Sequence, residues 1–256
     1  MAAGAFTGLI VGLTGVGGGA LMTPLLLLLF GVAPITAVGT DLWFAALTKT
    51  VAAPIHQGRG LIDWQIVRRL WAGSLPASLL VTLLLRLHFI GTQNAHLLKT
   101  AIAAAVLMTV LGLIFQKALL RLGTRFGIGV EDEAHRAQAL LTVAAGALLG
   151  VLVTLTSVGA GALGVVFLVF LYPERLTPAR LVATDIVHAI PLAVFAGMGH
   201  LFIGNVDFKL LALLLCGSIP GVVLGARLST RLPQFLLRWA LAGALLVVGL
   251  RLWTSA

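Results

Sequence analysis

Charge is scarce in this chain, acid scarcer, and cysteine almost absent. Charged residues fill 10% of its 256 positions, against about 25% in soluble domains. One cysteine, Cys216, excludes an intrachain disulfide and any thiolate cluster. The six histidines show no ligand spacing such as HxxxH, so no metal site is expected. There is no reactive-cysteine pair and no serine–lysine constellation. An enzyme is therefore not expected, and no cofactor is called for. The N-terminus carries no basic region ahead of its apolar run, so no cleavable signal peptide is expected.

What fills the chain is apolar. Hydrophobic residues make up 60% and glycines number 30, with a mean hydropathy of +1.11. This composition predicts an all-α polytopic membrane protein with no room for a separate soluble domain. The net charge of +9 raises nucleic acid as a partner. The basic residues flank apolar spans, however, so membrane lipid is the expected partner and nucleic acid is not.

The chain also repeats itself. Thr14-Gly15-Val16-Gly17-Gly18-Gly19 returns as Thr156-Ser157-Val158-Gly159-Ala160-Gly161, 142 residues later. Val38-Gly39-Thr40-Asp41 returns as Val182-Ala183-Thr184-Asp185, 144 residues later. At that offset His56 meets His200, Asp63 meets Asp207, and Gly73-Ser74-Leu75-Pro76 meets Gly217-Ser218-Ile219-Pro220. The division this implies is a first repeat at 1–116, a linker loop at 117–136 and a second repeat at 137–256. Duplicated hydrophobic segments interrupted by glycine and proline at matching places point to a transporter site.

Six segments read as ordinary spans: Ile35–Ile55, Gln65–Leu85, His96–Gln116, Ala179–Gly199, Phe208–Leu228 and Gln234–Trp253. Ala2–Phe30 and Ala137–Leu171 are too long for one straight crossing and short for two. If each crossed once, the halves would be parallel and Lys and Arg would split nearly evenly between the two sides. If each enters and returns, the halves are inverted. Then Arg86, Lys99, Lys209 and Arg251, at or near span ends on one side, stand against all the other Lys and Arg apart from Lys49. That asymmetry is a normal positive-inside bias. The expectation is two inverted repeats, each a broken or re-entrant helical element plus three transmembrane helices. That makes about eight helical membrane elements in the cytoplasmic membrane, with the linker loop cytoplasmic and both termini outside. Charge cannot separate a re-entrant element from two short crossings.

Irregular backbone at membrane depth persists only where it is buried or lines a wet cavity. Gly17, Gly18 and Gly19 release the chain from helical angles, and Thr23-Pro24 follows. A break there exposes N–H groups at the start of a new half-helix, which attract anions. Thr14, Thr23, Thr156 and Ser157 add hydroxyl donors, and Gly159 and Gly161 repeat the break. Small residues also let helices pack closely, and that reading fits Gly4, Gly8, Gly12, Gly146 and Gly150.

Two of the eight acidic residues fall well inside spans, and they are repeat equivalents: Asp41 and Asp185. Intramembrane carboxylates are functional candidates by default. Three roles are open: proton carrier, partner of a buried cation, or hydrogen bonder to the broken helix. Lys49, eight residues on from Asp41, either neutralises it, attracts an anion or snorkels to the cytoplasmic boundary. His188, one turn after Asp185, is a core histidine or a titratable switch. Asp63 and Asp207 read as helix N-caps. His56 and His200 read as interfacial, and Pro76 and Pro220 as kinks.

Gly8-x-x-x-Gly12-Leu13-x-Gly15-Val16-Gly17-Gly18-Gly19, Thr23-Pro24-Leu25, Ala37-Val38-Gly39-Thr40-Asp41 and Val158-Gly159-Ala160-Gly161 together resemble the TauE/SafE (sulfite exporter) family of membrane permeases. The similarity covers essentially the whole chain. It implies transport of sulfite, a sulfonate or a related small organosulfur anion. The second motif is weaker, with Ser157 in place of Gly15 and Ala160 in place of a glycine. The expected function is a secondary transporter of a small anion by alternating access, with a proton as the candidate coupling ion. An anion channel and a cation-coupled transporter of another small organic acid are the alternatives.

Overall fold

The computed structural model describes residues 1–14, 19–56, 60–87, 95–125, 132–159, 161–229 and 234–255. Gly15, Val16, Gly17, Gly18 and Ala160 of the expected breaks lie outside them. The described residues form eleven helices and no strand. They are α1 (Ala2–Thr14), α2 (Gly19–Phe30), α3 (Pro34–His56), α4 (Trp64–Arg86), α5 (Ala95–Ile114), α6 (Gln116–Arg125), α7 (Asp132–Thr156), α8 (Ala162–Leu171), α9 (Pro178–Ile203), α10 (Phe208–Ser229) and α11 (Gln234–Ser255). Among the described residues, four stretches are both long and apolar enough to cross a bilayer by length and composition: Ala95–Ile114, Arg136–Thr156, Pro178–Ile203 and Phe208–Gly225. Leu79, Leu80, Phe202, Leu224 and Val247 turn outward, a surface that lipid solvates and water does not.

The second over-long segment is broken, dividing into α7 and α8, while the first carries α1 and α2 on either side of residues outside the described ones. In the second the chain turns back on itself. Gln138 Nε2, near the start of α7, donates to the carbonyl of Leu171 at the end of α8, at 2.7 Å. The hydroxyls of Thr142 and Tyr172 lie 2.8 Å apart. A straight continuation over 33 residues would separate those ends by roughly 50 Å. The segment is a helical hairpin.

Packing crosses between the halves in matching pairs. A Cβ on Gly4 would strike the carbonyl of Leu214, and one on Gly8 that of Ser218. Likewise Gly146 abuts the carbonyl of Leu70, and Gly150 that of Ser74. Numbers rise together in each pair, so α1 lies parallel to α10 and α7 parallel to α4. The packing reading of these glycines holds: without a side chain the two backbones touch. Between α3 and α9 the numbers run oppositely. Gly39 abuts the Asn205 carbonyl, and Trp43 Nε1 donates to the Gly197 carbonyl at 3.0 Å. These two repeat-equivalent helices are antiparallel.

Caps are exchanged the same way. The Asp63 N–H donates to Thr184 Oγ1 at 3.1 Å, and the Asp207 N–H to Thr40 Oγ1 at 3.0 Å. Asp63 Oδ1 in turn accepts from Ile66 N–H, and Asp207 Oδ1 from Leu210 N–H. Both acids cap their helices, as expected.

Two expectations need correction. The linker at 117–136 is not a loop throughout, because Gln116–Arg125 is helix α6. Lys117, Arg121 and Arg125 recur every fourth residue on its exposed face, while Gly123 is buried against the Phe170 carbonyl. That period is helical. Nor does Thr23-Pro24 break the first segment. Pro24 lies inside α2, which starts at Gly19. Its missing N–H would otherwise have bonded to the Ala20 carbonyl, one turn into the helix.

Candidate functional site

The second break is built from backbone that favours glycine. Gly159 has φ 124° and Gly161 φ 133°, and Ser157 stands at φ 57°. L-residues seldom adopt these angles. Thr156 Oγ1 accepts from Val158 N–H at 3.1 Å and donates to the Leu152 carbonyl at 2.6 Å. Its hydroxyl is spent on its own turn. Ser157 Oγ is buried without a hydrogen-bond partner among the described residues, and it is a close neighbour of Asp41 in the other half.

Each half-helix begins beneath a carboxylate carried by a different helix. Asp41 of α3 is fully buried. Its Oδ2 accepts from the Thr23 N–H at 3.1 Å and from the Thr23 hydroxyl at 2.5 Å. Thr23 thus gives its N–H to a side chain, and Pro24 has none to give. Asp185 of α9, also buried, touches Gly164 in the first turn of α8, where any Cβ would collide with Oδ1. Neither oxygen of Asp185 has a hydrogen-bond partner among the described residues, nor does Asp41 Oδ1.

One cation joins them. Lys49 is among the largest fully buried side chains and interacts electrostatically with Asp185 and Asp41. The snorkelling reading does not hold: Lys49 is buried among the packed helices, within electrostatic range of both carboxylates, rather than in solvent. His188 belongs to the same cluster. It is fully buried, with Nε2 3.1 Å from Ser74 Oγ of α4 and Nδ1 unpartnered among the described residues. Trp71 Nε1 donates to the His188 carbonyl at 3.1 Å. His200 is not interfacial. It is buried, with Nε2 2.9 Å from the Thr154 carbonyl. The side chain of His56 lies outside the described ones.

Thr23, Asp41, Lys49, Ser157, Asp185 and His188 therefore converge from both halves. Gly159 and Gly161 shape the turn beside them, and Gly19 starts α2. Gly17, Gly18 and the side chain of Thr14 lie outside the described residues. Sequence reasoning missed Ser74, although its place in the duplicated Gly-Ser-x-Pro run marked it. It also missed an ion pair at one end. Arg175 holds Asp63 through Nε–Oδ2 at 2.7 Å and Nη2–Oδ1 at 3.0 Å, and Arg180 approaches at 3.7 Å. Asp207 has no arginine at the corresponding places, since these are held by Gly31 and Thr36.

Apolar helices, one pair joined through a break at 157–161, with ionisable groups buried beside it, define a class: a polytopic membrane protein of transporter type. The chain belongs to the sulfite exporter TauE/SafE family, whose model matches residues 1–252. It is 37% identical to the probable membrane transporter protein YjnA of Bacillus subtilis (strain 168), over 97% of this chain and 96% of that one. It is 28% identical to the probable membrane transporter protein YdhB of the same organism, over 96% and 95%. No solved structure matches it.

Proposed function

We propose that the protein is a secondary transporter for a small anion, with sulfite, a sulfonate or a related organosulfur anion as the substrate class. The observation that carries this reading is the buried polar cluster beside the break at 157–161: among the described residues both Asp185 oxygens have no hydrogen-bond partner, and Ser157 Oγ of the break faces Asp41, whose Oδ1 makes no well-formed bond. Buried polar groups left open in this way cost about 1–3 kcal/mol each, so a cluster of them favours a ligand or proton bound in turn. The Lys49 ammonium supplies the positive charge an anion requires. Two carboxylates beside it oppose that anion unless one is protonated, which ties anion binding to proton binding. The family's description names sulfite export, and the chemistry of the cluster is compatible with it.

The reading includes inverted repeats. The antiparallel run of α3 against α9 and the exchanged Asp–Thr caps support it. Alternating access then follows, with one amendment to the expectation that one repeat rocks against the other. The glycine contacts weld α1 to α10 and α4 to α7, so the moving bodies are these exchanged pairs, each drawn from both repeats. The cluster lies on α3 and α9 and on the starts of α2 and α8.

The test is counterflow of labelled sulfite into proteoliposomes. Transient accumulation that requires unlabelled internal sulfite is the expected result. Flux without saturation or counterflow would replace the carrier with a channel. No flux from folded protein would remove sulfite and direct the search to sulfonates and carboxylates.

A further inference from the structure

The two duplicated aspartates sit at equivalent places but in unequal surroundings. Asp41 is clamped: Oδ2 takes both the N–H and the hydroxyl of Thr23. The clamp has no counterpart in the second half. At the two repeat offsets Thr23 corresponds to Val165 and Phe167, neither of which has a hydroxyl. The Val165 N–H is already bonded to the Gly161 carbonyl at 2.9 Å. Asp185 accordingly makes no hydrogen bond among the described residues. Gly164 leaves its carboxylate room that a Cβ would fill.

We infer that the two carboxylates have divided the work: Asp185 is the group that takes up and releases the coupling proton, and Asp41 is a positioning residue that holds the first turn of α2. The inference rests on the transporter reading and deepens it. A carboxylate gripped by two donors loses both bonds' charge assistance when it is protonated, and it is fixed in one place. A carboxylate with no donor has no such bond to lose, and as an acid it gains an O–H to offer. The charged group facing Asp185 is Lys49 from α3, and Asp41 of α3 and His188 of its own helix act on that same lysine. At the start of α4, Asp63 is bound by Arg175. The first turn of α8 adds no ionisable group. Protonation of Asp185 removes one of the two negative charges that hold Lys49, and the ammonium's attraction turns toward an anion in its place. One proton and one anion then travel together, and deprotonation on the other side restores the Asp185–Lys49 attraction.

The test reads the proton directly. Purified protein in nanodiscs is titrated while infrared difference spectra follow the C=O stretch of a protonated carboxyl. The expected result is a titrating band that is lost in Asp185→Asn and kept in Asp41→Asn. Should Asp41→Asn fail to fold, Thr23→Val, which removes the hydroxyl half of the clamp, takes its place and is expected to keep the band. A band that survives Asp185→Asn, a band lost in Asp41→Asn or Thr23→Val, or no titrating carboxyl in the wild type each overturns the inference. No substrate enters this measurement. Failure of sulfite as substrate therefore shows in counterflow alone and leaves the infrared result to stand or fall by itself.

Discussion

Replacing Gly150 by alanine adds one methyl group at a place where two helix backbones touch. Its Cβ would stand 2.9 Å from Ser74 Cα and closer still to the Ser74 carbonyl oxygen. Carbon atoms prefer about 3.5–4.0 Å. The obstacle is backbone, so no rotamer change relieves it, and α4 and α7 must move apart. Overpacking of this kind costs about 1–3 kcal/mol. Alanine returns up to about 1 kcal/mol through its better helix propensity. The net loss is roughly 1–2 kcal/mol, a fall in Tm of about 2–8 °C at 2–4 °C per kcal/mol for a chain of this size. Gly243 of α11 supplies the control, because a Cβ there meets nothing within 4 Å. Gly243→Ala should be neutral or stabilise by up to about 1 kcal/mol. The assay is thermal unfolding in one detergent followed by tryptophan fluorescence. If Gly150→Ala is as stable as Gly243→Ala, the claim that backbone contact welds α4 to α7 is wrong.

The hairpin and the ion pair allow two further checks. In a Cys216→Ser background, cysteines in place of Gln138 and Leu171 should be joined by a short bifunctional thiol reagent, shown by a shifted tryptic fragment pattern; no cross-link would mean that α8 does not return along α7. Asp63→Asn and Arg175→Gln should show a coupling of about 1 kcal/mol in a double-mutant cycle of thermal stability, at the upper end for a pair whose arginine is part-exposed, and simple additivity would show that the pair adds nothing.

The sequence made much of the fold legible, and the reasons are physical. Six helices could be bounded to within a few residues, because about 20 apolar residues between charges is the pattern a bilayer demands. The break between α7 and α8 was legible through duplication: glycine in an over-long apolar run says little once and much more when repeated. The sequence did not show where the breaks would lead. The fold-back of α7 onto α8 depends on Gln138 meeting Leu171 and Thr142 meeting Tyr172, contacts between residues with no pattern of their own. Pro24 misled because a proline inside an apolar run reads as a break, yet α2 runs through it from Gly19 to Phe30.

The site was legible by residue and much less so by role. Asp41, Asp185, Lys49 and His188 stood out as ionisable groups in apolar runs, and all four are buried together. Lys49 was ambiguous because snorkelling or burial depends on which helix lies across it. The unequal footing of the two aspartates was hidden in a small difference between the repeats, Thr23 against Val165 and Phe167. The Asp63–Arg175 pair was missed because Arg175, on the loop after α8, carries no periodic signal.

Transport by alternating access of this kind depends on the two halves facing opposite ways across the membrane. Gln65 and Lys209 are repeat equivalents, both exposed near the starts of α4 and α10. Single cysteines at these two positions, in a Cys216→Ser background, would be labelled in intact cells with a membrane-impermeant maleimide. Inverted halves predict labelling of Lys209→Cys from outside, and of Gln65→Cys only after the membrane is opened. Labelling of both from the same side would make the halves parallel and contradict the account.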